Sequence, residues 1–259
     1  MALLIEFLLR LSFGLAAAMA SVSPRRVSSG YFRNHLYVVL GLSSLATLLS
    51  RVAAPAAFAW AIAAAALSYV GSVAWLYEKR MLGVASLVIL ATTALGGALS
   101  ITDVHTGIVD NEEIPFTIAT LASLLRIVQA VTSGVLLGCT MAAMLLGHWY
   151  LNAPGMELTP LRKMLVAMAV AVIAQAVVCG VGLNLEHALR PLSTQDLLFL
   201  TLRWSFGLVG VLVLIWLAWQ TLAIPNTQSA TGILYVAVMG VFVGETMSLL
   251  LSAESLYPV

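Results

Sequence analysis

Five ionisable residues lie inside apolar runs of the chain and are the first candidates for chemistry. They are Glu6, Arg10, Arg126, Arg203 and Glu245. A charged side chain within a membrane span is costly, and such a residue indicates a functional site by default. A carboxylate beside arginines can accept a proton from a bound ligand. We therefore treat the five as a candidate polar catalytic cluster, in which Glu245 is the expected proton acceptor.

Simpler interpretations exist for some members of this cluster. Glu6 and Arg10 are spaced i, i+4 on one helical face and can neutralise each other. Arg203 can extend its charged end to the lipid headgroups. Extension to the headgroups does not account for Arg126 or Glu245. The sharper prediction is a polar, partly hydrated cavity that the five residues share.

The four histidines suggest a second chemistry, the ligation of haem iron. His35 and His148 lie at one membrane boundary, and His105 and His187 lie at the other. Two histidines at each face is the number that two stacked bis-histidine haems b require, and arginines can neutralise the propionates. All four lie at helix ends or in loops, which also fits interfacial anchoring. Haem b remains a hypothesis with these four histidines as the candidate ligands.

The segment 147–155 (GHWYLNAPG) places an imidazole, an indole and a phenol together at one helix end. His148, Trp149 and Tyr150 are therefore candidate cofactor-binding residues for a quinone carbonyl. The same groups can bind an anionic headgroup or a partner subunit. Aromatic residues at a membrane boundary can also act only as interfacial anchors.

The composition defines the elements that must position these residues. Hydrophobic residues make up 61% of the 259-residue chain and charged residues only 9%, against about 25% charged in soluble domains. A membrane span needs about 20 apolar residues. We predict an all-α integral membrane protein, a single transmembrane helical domain over 1–259. Its eight predicted spans are 2–22, 36–51, 53–77, 81–101, 115–150, 162–183, 197–223 and 231–252.

Two of these boundaries are open. The spans within 36–77 are divided only by Arg51 and the stretch before Pro55. The run 115–150 is too long for one perpendicular crossing, so it is either a tilted, protruding helix or a helix broken near Ser133 and Gly134.

Basic residues in the loops predict the orientation, because cytoplasmic loops carry an excess of lysine and arginine. One set of loops holds seven basic residues and the other set holds two. The seven are Arg25, Arg26, Arg33, Lys79, Arg80, Arg162 and Lys163, and the two are Arg51 and Arg190. Both termini are therefore predicted on the outer side, and all five charged candidates in the outer half. The expected location is a bacterial inner membrane.

Several functions are excluded or disfavoured by what the chain lacks. It contains no Gly-x-x-x-x-Gly-Lys-Ser/Thr, His-Glu-x-x-His or Gly-x-Ser-x-Gly motif, which disfavours ATPases and the usual hydrolases. A net charge of +1 argues against nucleic acid as a partner. Cys139 and Cys179 both lie in apolar runs, so no disulfide framework is indicated.

Three functions remain. The first is a membrane subunit of a respiratory-type electron-transfer complex that binds quinol, with or without haem b, and anchors partner subunits. Short loops on both sides fit a chain whose chemistry is completed by other subunits. The second is a secondary transporter, although such proteins place their sites near the midplane between repeated halves. The third is a scaffold without chemistry of its own. Membrane lipid is an expected partner in all three.

Overall fold

The computed structural model describes two short strands by their backbone and the remainder of the chain in the ranges 1–102, 115–153, 155–189, 191–224 and 226–259. The protein is an all-α polytopic bundle. Within the described residues, eight helical spans are long and apolar enough to cross a membrane. The predictions for His105, Arg190 and the acidic side chains between 103 and 113 lie outside the described residues.

The elements follow one another with short connections. They are α1 (Ala2–Ser21), α2 (Ser29–Ala53), α3 (Pro55–Leu76), α4 (Arg80–Leu99), β1 (Ile108–Val109), β2 (Glu112–Glu113), α5 (Phe116–Asn152), α6 (Thr159–Leu189), α7 (Thr194–Leu202), α8 (Val211–Ala223) and α9 (Thr227–Ala253). The two strands pair antiparallel, with Ile108 opposite Glu113. The π-helical segment Arg203–Gly210 joins α7 to α8, so these three pieces form one span.

The spans agree with the predicted ones in number, and their ends differ for identifiable reasons. The second span begins at Ser29 rather than at 36, because its first turns carry polar residues that an apolar scan leaves out. The division before α3 occurs where it was predicted, with Pro55 in the first turn, a position that suits proline. The long run is one continuous helix of 37 residues, so the alternative of a break near Ser133 and Gly134 is wrong.

Close contact between α1 and α5 sets the centre of the bundle. A methyl group on Gly14 would overlap the carbonyl oxygen of Gly134, and one on Gly138 would overlap the backbone of Gly14. Glycines at these positions let two helices approach until their backbones touch. The helix α1 is buried along most of its length, so its polar residues face protein rather than lipid.

The seventh span changes its helical geometry where its arginine lies. Ser193 and Asp196 form a capping box at the start of α7, in which each side chain binds the other residue's backbone N–H. The π-helical segment then begins at Arg203 itself. Wide π-helical turns are rare and often mark functional positions.

The residues at the helix ends distinguish two opposite faces of the bundle. Ala2 of α1 and Ala253 of α9 line one and the same cavity, so the first helix begins and the last helix ends at the same face. The basic residues between α1 and α2 and at the start of α6 lie at the opposite face. We call the first face outer and the second inner, as the distribution of basic residues predicts.

Candidate functional site

Polar residues face each other across the antiparallel pair α5 and α9, and we call this set the polar ladder. Its members are Arg126, Gln129 and Ser133 on α5 and Ser252, Ser248 and Glu245 on α9. Gln129 Nε2 donates to Ser248 Oγ at 3.0 Å, and Ser133 Oγ donates to Glu245 Oε2. The spacing i, i+3 (or i+4) and i+7 keeps three residues on one helical face, so the ladder runs inward from the outer face.

The predicted pair Glu6 and Arg10 is confirmed and joins this ladder. Arg10 Nη2 contacts Glu6 Oε1, and the two residues are 1% and 6% exposed respectively. Both Arg10 Nη atoms also lie 3.4 Å from Gln129 Oε1, and Thr102 Oγ1 donates to Glu6 Oε1 at 3.1 Å. Arg10 Nε is buried without a hydrogen-bond partner among the described residues. The pair is therefore buried, networked and not merely a surface ion pair.

Arg126 binds backbone carbonyl groups where α9 ends. Its Nε donates to Leu256 O at 3.1 Å and its Nη2 to Ser252 O at 3.0 Å, and Nη2 also donates to Ser255 O. The last carbonyls of a helix have no partner within the helix, and a buried arginine satisfies them here. Arg126 thereby holds the segment 254–259 against α5.

Glu186 binds the same segment from α6, and the sequence analysis did not single it out. Its Oε2 accepts from the backbone N–H of Leu256 and of Tyr257, both at 3.0 Å. It lies beyond the predicted end of its span at 183. The signal that could have found it is the helical spacing that places Cys179, Gly182 and Glu186 on one face. Burial raises the pKa of Tyr257, and the nearby Glu186 carboxylate adds to this.

Arg203 and Glu245 form a second, deeper charge pair. Arg203 Nη1 lies 3.4 Å from Glu245 Oε1 and donates to Gly244 O at 3.0 Å, while Nη2 donates to Cys179 Sγ at 2.8 Å. The side chains of the pair are 1% and 2% exposed. This pair lies where Gly207 and Gly244 bring the π-helical segment against α9. Arg203 is thus enclosed and does not extend to the headgroups.

A polar cavity opens at the outer end of the ladder, and we call it the outer cavity. It has a volume of about 100 Å³. The polar residues that line it are Glu6, Arg10, Thr102, Arg126, Gln129 and Ser252. One water needs about 10–15 Å³ of such space, so the cavity has room for several. Glu245 and Arg203 are not among its lining residues, so three of the five predicted residues line the cavity and two form a separate buried pair.

An apolar groove of about 410 Å³ lies between α1 and α9 beside the outer cavity. Phe7 of α1 and Phe242 of α9 line it, with their rings edge to face at 5.2 Å. Leu3 and Leu249 line both the groove and the outer cavity. We call it the α1/α9 groove. The outer cavity and the α1/α9 groove therefore share a wall at the membrane boundary.

The candidate haem ligands that the structure describes are His35, His148 and His187, and their environments differ. His35 is buried, and its Nδ1–H donates to Tyr31 O at 2.6 Å while its ring packs 4.4 Å from the Tyr31 ring. His148 and His187 are exposed at helix ends. No group of three potential metal ligands occurs in the part of the chain that the structure describes.

The aromatic segment at the inner end of α5 is held by nearby loops. Trp149 Nε1 donates to Ser28 Oγ at 3.1 Å, and Tyr150 OH donates to Glu157 O. Their polar atoms are thus used within the protein. These contacts favour a packing role for Trp149 and Tyr150 over a quinone site at this end.

A comparison with known protein families, with curated proteins and with solved structures gives no match. A function for this chain therefore has to be argued from the geometry and chemistry of its own sites.

Proposed function

We propose that this chain is a membrane subunit of a quinol-linked electron-transfer complex in a bacterial cytoplasmic membrane. The observation that carries the proposal is the wall that Leu3 and Leu249 share between the outer cavity and the α1/α9 groove. Quinol is an amphiphile with a polar ring and a long apolar tail. The ring fits a small chamber of hydrogen-bonding groups, and the tail fits an apolar groove that faces lipid.

Glu6 is the residue best placed to receive a proton from such a ring. It lines the outer cavity, and its hydrogen bonds among the described residues, from Arg10 and Thr102, all use Oε1. The Oε2 atom is left for a phenolic hydroxyl of the ligand. Glu6 therefore replaces Glu245 as the proton acceptor in this proposal, because Glu245 is bound to Ser133 and Arg203.

The redox balance of the step requires a partner. Oxidation of one quinol to quinone breaks two O–H bonds and releases two protons and two electrons. Glu6 accepts the protons in turn and passes them to water at the outer face. The two electrons would need an acceptor on a partner subunit, and an iron–sulfur cluster or a haem held there would supply that chemistry. In this assembly the present chain binds, orients and deprotonates quinol and anchors the partner.

The test is direct binding of quinones to the purified chain in lipid nanodiscs. The probes are a benzoquinone and a naphthoquinone, each with an isoprenoid tail and in a tail-less form, and the readout is quenching of tryptophan fluorescence. We expect saturable binding of the tailed forms. Glu6→Gln is expected to weaken binding at least about tenfold, the effect of losing roughly one charged hydrogen bond. The matched control is Glu254→Gln, an exposed carboxylate at the same face.

A second variant separates the groove from the cavity. Val243→Trp fills the α1/α9 groove, whereas Val236→Trp places the same bulk on an exposed part of α9 away from it. Only the first should weaken binding of tailed quinones, and neither should change binding of the tail-less forms. Equal affinities in all variants overturn the proposal, as does displacement of the tailed quinone by a phospholipid that binds the groove more tightly.

A further inference from the structure

The inner face carries a cavity that the proposed function does not use. It lies between the end of α1 with its following loop and the first two turns of α6, and its volume is about 220 Å³. Ser21, Ser23 and Arg26 line it on one side, and Lys163 lines it on the other. Both cations come from loops and helix ends that the basic-residue rule assigns to the cytoplasmic side.

The charge of this cavity is unbalanced. Lys163 has no acidic partner among the described residues, and Arg26 Nη1 lies 3.4 Å from Glu157 Oε2. The side chains of that pair are 45% and 65% exposed, and exposed ion pairs are weak and open readily. The cavity therefore presents two cations and the Ser23 hydroxyl group, with a single, loosely held carboxylate nearby, whereas the Ser21 hydroxyl donates to Ala18 O at 2.7 Å.

The other walls of the cavity are apolar. Val22 and Met164 are buried and Ala167 is half-buried, and all three line the same space. A cationic rim above an apolar wall at the membrane boundary suits a molecule with an anionic head and a hydrocarbon body. Basic pockets between helices on the cytoplasmic side are suited to the headgroups of anionic phospholipids.

The loop between α1 and α2 also contributes Arg25 to a neighbouring cavity. Ser23 also lines a neighbouring cavity of about 550 Å³, whose basic residues are Arg25 and Arg80. Consecutive arginines thus point into two different cavities on either side of Ser23. This arrangement concentrates positive charge around the short connection between α1 and α2.

We propose that the cavity between α1 and α6 binds the phosphate group of an anionic phospholipid from the inner leaflet, with Arg26 and Lys163 as the phosphate ligands. The Ser23 hydroxyl faces the headgroup, and the acyl chains lie against Met164 and Ala167. The site is separate from the outer cavity and the α1/α9 groove, so it does not depend on quinol binding.

The test is native mass spectrometry of the full chain in detergent, titrated with phosphatidylglycerol and with phosphatidylcholine. The wild type is expected to bind phosphatidylglycerol at least about tenfold more tightly, and the preference should fall as salt screens the charges. Arg26→Gln with Lys163→Gln should abolish the preference. The matched control, Arg33→Gln with Lys79→Gln, removes the same charge at the same face and should retain it.

Three results overturn the proposal. They are equal binding of the two lipids to the wild type, equal loss in the control, and full competition by inorganic phosphate at millimolar concentration. The last result would assign the site to a free anion. If the double variant does not fold, Lys163→Gln alone should reduce the preference while Lys163→Arg retains it. Quinone affinity, measured on the same variants, is expected to stay unchanged.

Discussion

At the outer end of the bundle, Arg10, Arg126 and Arg203 are buried and bound to carboxylates or carbonyl groups, whereas Arg25, Arg26 and Lys163 at the inner end are exposed. A buried charge has lost its water and depends on its protein partners, so removal of one partner leaves an uncompensated charge. An exposed charge keeps its water. The outer charges should therefore determine stability and ligand chemistry, and the inner charges should determine orientation and lipid contacts.

The largest effect that this comparison predicts is at Arg203. Arg203→Ala leaves Glu245 buried without its cation, and we expect the free energy of unfolding to fall by about 3–5 kcal/mol. The measurement is unfolding of the purified protein in mixed micelles. Arg203→Met combined with Glu245→Met removes both charges and should recover part of the loss. A double variant that is less stable than the single one would contradict the pairing.

The next largest loss of stability is expected at Arg126, which can be compared with Arg162 at the inner end. Arg126→Gln removes contacts to three carbonyl groups, and we expect a loss of about 1.5–3 kcal/mol, as for hydrogen bonds of a charged group. Hydrogen exchange in the segment 254–259 should rise with it. Arg162 at the inner end donates to one carbonyl, Leu222 O at 2.9 Å, and is exposed. Arg162→Gln should cost less, and equal losses would remove the distinction between the two ends.

The inner charges should tolerate substitution. Arg25→Gln is expected to change the free energy of unfolding by less than about 0.5 kcal/mol, the usual range for surface positions.

The orientation of the chain in the membrane is tested with Lys79→Cys. Both native cysteines are buried, so the new thiol is the accessible one. It should react with a membrane-impermeant maleimide only after the cells are opened, and labelling of intact cells would reverse the assigned orientation.

The smallest effect concerns Tyr257 and pH. Its pKa in the folded protein lies above the ordinary value of 10.0 because it is buried beside Glu186. Above about pH 10 the unfolded chain loses this proton while the folded protein keeps it, so stability falls as pH rises through that range. Tyr257→Phe should flatten this part of the pH profile. Tyr77→Phe, at an exposed position, should leave it unchanged.

Part of the outer site was predictable because it depends on spacing along one helix. The contact of Glu6 with Arg10 follows from four residues of separation, and their confinement to one end follows from the direction of α1. The separation of the five charged residues into a cavity group and an enclosed pair was not predictable. It depends on how α5, α9 and the π-helical segment rotate against each other.

Glu186 and Arg126 illustrate the same limit. Their partners are backbone groups at and beyond the end of α9, which lie 70 and 71 residues away along the chain for Glu186 and carry no side-chain signature. A pattern of residue types can place a charged side chain at a depth, but it does not identify a carbonyl group as its partner. The wall that Leu3 and Leu249 form between the outer cavity and the α1/α9 groove could not be predicted from the sequence either. A leucine in an apolar span indicates only a lipid-facing or a packed side chain.

The sequence alone determined that this is a polytopic helical membrane protein with eight spans and basic residues concentrated at one face. These properties follow from local composition. A membrane span needs a continuous apolar segment, and the basic residues of each loop can be counted segment by segment. The tertiary structure decided which charges are paired, which line a cavity, and where a polar chamber meets an apolar groove. Those outcomes depend on side-chain contacts between helices that are distant in the chain.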